Sequence, residues 1–169
     1  MVNAYFFDTS ALVKRYVPEI GSDWILSITD PATNSDLVIS QITWVELHSA
    51  FARRLRDGSL SAERFDLIVQ KVREDFENEY RVIDVDPTVI ETATELVMQH
   101  PLRAYDAVQL ASALRFQSTT LLSQPDTRLF FVSADNRLLN IAQSAGLAID
   151  NPNNYPQSNG LIVRTLVLG

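Results

Sequence analysis

Four carboxylates stand where their type and spacing can do chemistry: Asp8 in FFDTSALVKRY, Glu46 in TWVELHSAFAR, Asp106 in RAYDAVQLASAL and Asp135 in FFVSADNRLLNIAQSAGL. Each has an ordinary explanation when taken alone. An aspartate at a helix start satisfies orphan N–H groups and complements the helix dipole, a role worth about 1 kcal/mol for Asp8, Asp106 or Asp135. Glu46 shares a helical face with Arg53 and can pair with it. Taken together the acids point elsewhere. Carboxylates crowded into a partly buried pocket repel, and they must take up protons or bind cations. Mg²⁺ and Mn²⁺ are hard ions that prefer oxygen ligands and often keep waters.

Neighbouring residues extend this reading. Thr9 and Ser10 place hydroxyls beside Asp8, either as capping groups or as partners of a carboxylate, a metal-bound water or a phosphate. Ser133 and Asn136 flank Asp135 closely enough to share its role. Lys14, Arg15 and Arg53 are candidate contacts for a polyanionic substrate, although clustered basic residues more often form a solvated helix face. His48 lies on an apolar helix face and His100 precedes Pro101, so both read as packed or surface histidines rather than general bases.

The elements that must position the acids follow from hydrophobic period. Ala4 to Phe7 reads as a buried strand, followed by a helix from Ser10 to Tyr16 and a second from Gly21 to Thr29. Leu37 to Ser40 is a second strand. Two long helices follow. In the first, Val45, His48 and Ala52 adjoin Leu47, Phe51 and Leu55 in a broad apolar stripe that ends at Gly58; the second starts at Ser61. Arg81 to Val85 reads as a third strand, Pro87 opens a helix to Gln99, and another helix runs from Arg103 to Phe116. Gln117 to Arg128 reads as a long polar loop before the strand LFFVSA. Asn136 to Ala145 is a last helix, closed by Gly146. Strands alternating with helices predict an α/β domain with a mainly parallel sheet. Its ligands belong beyond the carboxyl ends of the strands, toward which all four acids tend. After Asn151 the tail turns polar and then ends in LIVRTLVL, which reads as an edge strand or a partner-packing segment.

Composition sets outer bounds. A chain of 169 residues with 46% hydrophobic content fits one domain. No apolar run approaches the roughly 20 residues of a membrane span. The start, MVNAYFFDTS, lacks the basic region of a secretory signal. With no cysteine there are no disulfides or thiolate metal sites, which fits a cytoplasmic protein. The net charge of −7 argues against a broad basic surface for nucleic acid, yet a carboxylate site for divalent ions adds acidity while preparing for phosphate.

The four motifs, in order, resemble those of the PIN-domain ribonucleases, and within them the VapC toxins of VapBC-type toxin–antitoxin pairs. Any one motif is weak evidence; all four in order, spread from Ala4 to Ile149, are specific. The resemblance implies a PIN-like three-layer α/β/α domain spanning 1–169, with 150–169 as a C-terminal extension. It further implies a Mg²⁺- or Mn²⁺-dependent endoribonuclease with one or two ions held by Asp8, Glu46, Asp106 and Asp135, leaving a 5′ phosphate and a 3′ hydroxyl. RNA, a cognate antitoxin and a second copy of the chain are the implied partners. Two other readings stay open at this stage. A phosphatase of haloacid dehalogenase type also begins with an aspartate after its first strand, but it calls for a second one where this chain has Ser10. A binding module whose acids merely cap helices is the other.

Overall fold

The computed structural model describes residues 2–156. Five strands, β1 (Val2–Phe7), β2 (Asp36–Ser40), β3 (Tyr80–Ile83), β4 (Thr127–Val132) and β5 (Ala148–Asp150), pair in the order β3-β2-β1-β4-β5. Every pairing is parallel. Parallel neighbours need crossover connections. These are α1 (Thr9–Tyr16) and α2 (Ser22–Ile28), then α3 (Thr43–Arg56) and α4 (Ala62–Asn78), then α5 (Pro87–Gln99) and α6 (Ala104–Ser123), and finally α7 (Asn136–Ser144).

The alternation along β1 sorts the helices into two layers, because successive side chains point to opposite faces. Ala4 and Phe6 join Val38 and Phe131 in a core shared with α5, α6 and α7. Phe7, with Leu37, Ile39 and Val132, belongs to a second core closed by α1, α2, α3 and α4. This is the three-layer α/β/α arrangement expected from the motifs. No helix among the described residues is long and apolar enough to cross a membrane.

Two expectations need correction, and one strand was not anticipated. The stretch from Gln117 to Arg128 is not a long loop, since α6 continues to Ser123 and β4 begins at Thr127. Its hydroxyl residues satisfy themselves within the helix: Ser118 and Thr119 donate to the carbonyl of Arg115, and Ser123 to that of Thr119. Polar composition there resembles a loop while the backbone stays helical. The stripe on α3 is also narrower than its sequence implies. Thr43, Leu47 and Phe51 are buried, whereas Val45 is 60% exposed. Finally, β5 escapes a reading by period, because three residues cannot display one. The LIVRTLVL segment lies outside the described residues.

A short 3-10 turn, Pro152–Asn154, docks on the start of α2. Trp24 and Tyr155 stack across this junction at 4.5 Å, with ring planes nearly parallel. Gly21 allows the approach: its φ is +87°, and a Cβ there would collide with the Pro152 carbonyl. Gly58 has a similar φ of +79°, but a Cβ there would meet nothing within 4 Å. Gly21→Ala is therefore expected to cost about 2 kcal/mol or more and Gly58→Ala about 1 kcal/mol, read as urea midpoints at constant slope. Equal losses would show that the Pro152 contact contributes nothing.

Candidate active site

β1 delivers Asp8 and β4 delivers Ser133, because Phe7 and Val132 are register partners at the ends of adjacent strands. The chain continues from β1 to β2 on one side, while β4 lies on the other. Their junction is thus the topological switch point, where open parallel sheets leave a crevice for ligands. The backbone N–H of Asp8 donates to the Val132 carbonyl at 2.9 Å, locking the two strand ends together.

Asp8 is only 6% exposed, and its two oxygens are treated differently. Oδ2 accepts from the Ser10 backbone N–H at 3.2 Å, the Ser10 hydroxyl at 2.5 Å and the Ser133 hydroxyl at 3.0 Å. Oδ1 accepts nothing from the described residues. It is also not among the fully buried side-chain atoms left without a partner, of which Thr120 Oγ1 is the only one among the described residues. Ser10 and Ser133 are themselves fixed, accepting from the backbone N–H groups of Ala134 and Asp135 at 2.9 and 3.1 Å. Burial pushes the Asp8 carboxyl up to about 6; the bonds from Ser10 and Ser133 oppose this, and the charge of Glu46 adds to it.

Glu46, half-buried in the first turn of α3, repeats the pattern. Its Oε2 accepts from the Thr9 hydroxyl at 2.8 Å and from the Gln109 amide at 2.6 Å, while Oε1 has no protein donor among the described residues. The pair with Arg53 does not form. Gln109 is wholly buried on α6 and also lies 3.0 Å from the Thr43 hydroxyl. Sequence reading passed over both Gln109 and Thr43. The available signal was an amide amid Ala107, Leu110, Ala111 and Ala113, all buried apolar positions.

Asp106 and Asp135 form a second couple. Burial raises the Asp106 carboxyl, the charge of Asp135 raises it further, and Arg103 and Arg137 hold it back. Asp135 caps α7 through Oδ1, which accepts from Arg137 and Leu138 N–H groups at 2.8 and 3.3 Å. Its Oδ2 lies 3.9 Å from the Arg137 guanidinium. The four acids thus fall into two couples, and no three carboxylates or imidazoles among the described residues gather into one metal-sized group. Of the residues flanking Asp135, Ser133 serves Asp8, while Asn136 accepts instead from the Asn151 amide at 2.7 Å.

The three basic residues have different surroundings. Lys14 is 6% exposed and paired with Glu19 at 3.3 Å. Arg15 is clamped by Glu79 and the Tyr80 hydroxyl, both at 2.5 Å, with Asp75 at 3.6 Å. Neither presents a free cation to a substrate, because Lys14 is paired with the partly exposed Glu19, and Arg15 with the partly exposed Glu79 and the buried Asp75. Arg53 is exposed. The guanidinium groups that act on the acid couple are those of Arg103 and Arg137. His48 bonds the Trp44 carbonyl at 2.6 Å and lies against its indole, a packing role.

A family model described as PIN domain matches residues 5–143, which contain all four acids. The chain belongs to the PIN domain family. Ribonuclease VapC45 of Mycobacterium tuberculosis is 31% identical over 145 residues, covering 85% of this PIN domain chain and 92% of that protein. Among solved structures, FitAcB from Neisseria gonorrhoeae superposes with a TM-score of 0.62 at 16% identity, over 88% of this chain and 97% of that one. A toxin–antitoxin complex from Klebsiella pneumoniae gives a TM-score of 0.58 at 18% identity, over 88% and 97%. Both share the PIN fold described above.

Proposed function

We propose that this PIN domain is a Mg²⁺- or Mn²⁺-dependent endoribonuclease acting as the toxin of a toxin–antitoxin pair. One observation carries the reading: Asp8 and Glu46, close enough at the switch point for their charges to interact, each commit one oxygen to protein donors and leave the other without one among the described residues. The donor set fits a hard divalent cation, being all carboxylate with hydroxyls around it. A cation there would also relieve the burial that raises Asp8, since an opposite charge favours the ionised form. The similarity to a VapC ribonuclease supports RNA as the substrate class.

Asp8, Glu46, Asp106 and Asp135 would hold one or two ions, whose charge would make a nearby water more acidic and offset negative charge on the phosphate. The protein's own share is positional. Ser10 and Ser133 hold Asp8, Thr9 holds Glu46, and the cap to α7 fixes Asp135 beside Asp106. Arg103 and Arg137 counter the acids and stand ready for a phosphate oxygen. A small antitoxin covering the acidic edge, a homodimer and a cytoplasmic location complete the proposal.

Incubating the protein with structured RNAs in Mn²⁺ or Mg²⁺ is expected to give fragments bearing 5′ phosphates and 3′ hydroxyls. Excess EDTA should stop the cleavage, and added Mn²⁺ should restore it. Cleavage that persists in EDTA would sink the metal-dependent mechanism.

A further inference from the structure

We infer that Gln109 is a positioning residue of the acidic site, whose buried amide selects which Glu46 oxygen stays free; this rests on the reading above. The amide has two hydrogens, and Glu46 Oε2, Thr43 Oγ1 and Thr9 Oγ1 lie 2.6, 3.0 and 3.1 Å from its nitrogen. The short contact is to the carboxylate, as charge-assisted hydrogen bonds are. The Thr9 hydroxyl donates to that same oxygen, so its own contact with Gln109 places the three groups in one ring of polar atoms. Both donors converge on Oε2, and Oε1 is left for whatever the site binds.

The placement of Gln109 is rigid. It is 0% exposed, and one turn further along α6 the Ser112 hydroxyl donates to Ser40 Oγ at the end of β2 at 2.9 Å. That bond registers α6 against the strand that leads into α3, where Glu46 resides. A glutamate side chain has three rotatable bonds and, held only by the flexible hydroxyl of Thr9, would sample several orientations. Gln109 removes that freedom from a helix on the opposite side of the sheet. It therefore couples α6, which carries Asp106, to the Asp8–Glu46 couple.

The test compares wild type with Gln109→Met, which keeps size but cannot donate, and Gln109→Glu, which keeps shape and adds charge. Calorimetric Mn²⁺ titration of the metal-free proteins and kcat and KM on one RNA are the readouts. Gln109→Met should weaken Mn²⁺ binding by about 10-fold and lower kcat by about 10-fold, as loss of an outer partner of a ligand does, with KM for RNA unchanged. Gln109→Glu, if Gln109→Met fails to fold, should lower kcat likewise. In a Glu46→Ala background, Gln109→Met should have no further effect on Mn²⁺ binding, because its action passes through Glu46. Wild type that binds Mn²⁺ and cuts RNA beside an unchanged Gln109→Met overturns this inference alone. Wild type that does neither overturns the functional reading, and this inference with it.

Discussion

Asp8→Asn is expected to lower Mn²⁺-dependent RNA cleavage by more than about 100-fold, since losing even an outer partner of a metal ligand costs about 10- to 100-fold, while stabilising the metal-free protein at neutral pH. The two effects have opposite signs for one reason. Asp8 is buried with Glu46 beside it, and its carboxyl is raised from 3.8 to about 6. An acid whose folded pKa is raised binds more protons folded than unfolded between those values. Its contribution is then fully present below about pH 4 and is lost as pH rises through about 6. Two units correspond to roughly 3 kcal/mol by pH 7. Asparagine keeps the acceptor for Ser10 and Ser133 and caps α1 about as well, without the charge. Urea midpoints in EDTA at pH 4 and pH 7.5 check this. The gap between variant and wild type should open with pH, and Mn²⁺ should close it for wild type only. A variant less stable than wild type at pH 7.5 would show that the carboxylate serves the fold.

Asp75→Ala should produce the largest loss of stability, about 3 to 5 kcal/mol, because removing one partner leaves buried charge uncompensated. Asp75 is 1% exposed. It accepts from the Tyr16 hydroxyl at 2.8 Å and pairs with Lys71 and with Arg15, whose side chain is 10% exposed. Tyr16 lies 2.7 Å from the Tyr80 hydroxyl, whose pKa burial pushes up to about 12. This knot ties the end of α1 to α4 and β3, while the start of the same helix carries Asp8, Thr9 and Ser10. A fall in Tm of about 10 °C is expected by calorimetry, with cleavage retained at low temperature. A Tm within about 2 °C of wild type would mean that Glu79 and Tyr80 suffice for Arg15.

The contrast between these two aspartates shows where sequence reading ends. Asp8 was legible because it follows an aromatic strand and precedes a helix, a local pattern that strand and cap chemistry produce together. Nothing near Asp75 in the chain sets it apart from the other charges of its amphipathic helix. Only packing reveals that α1 closes over it and supplies Arg15 and Tyr16. The ion pairs of Lys14 and Arg15 are hidden from the sequence for the same reason, since they depend on Glu19, Glu79 and Asp75 arriving from other turns and helices.

By itself the sequence determined the order of the first four strands and the seven helices, the parallel α/β sheet, and where the four acids and the hydroxyls beside the first stand along the chain. Those features are written in period, capping chemistry and short motifs, which act between residues close in the chain. Tertiary structure decided which oxygen of each carboxylate is tethered, that Ser133 and Gln109 do the tethering, and that the acids divide into couples. Ser133 meets Asp8 across 125 positions and Gln109 meets Glu46 across 63. Contacts at such separations are set by strand order and helix docking, and no local pattern encodes them.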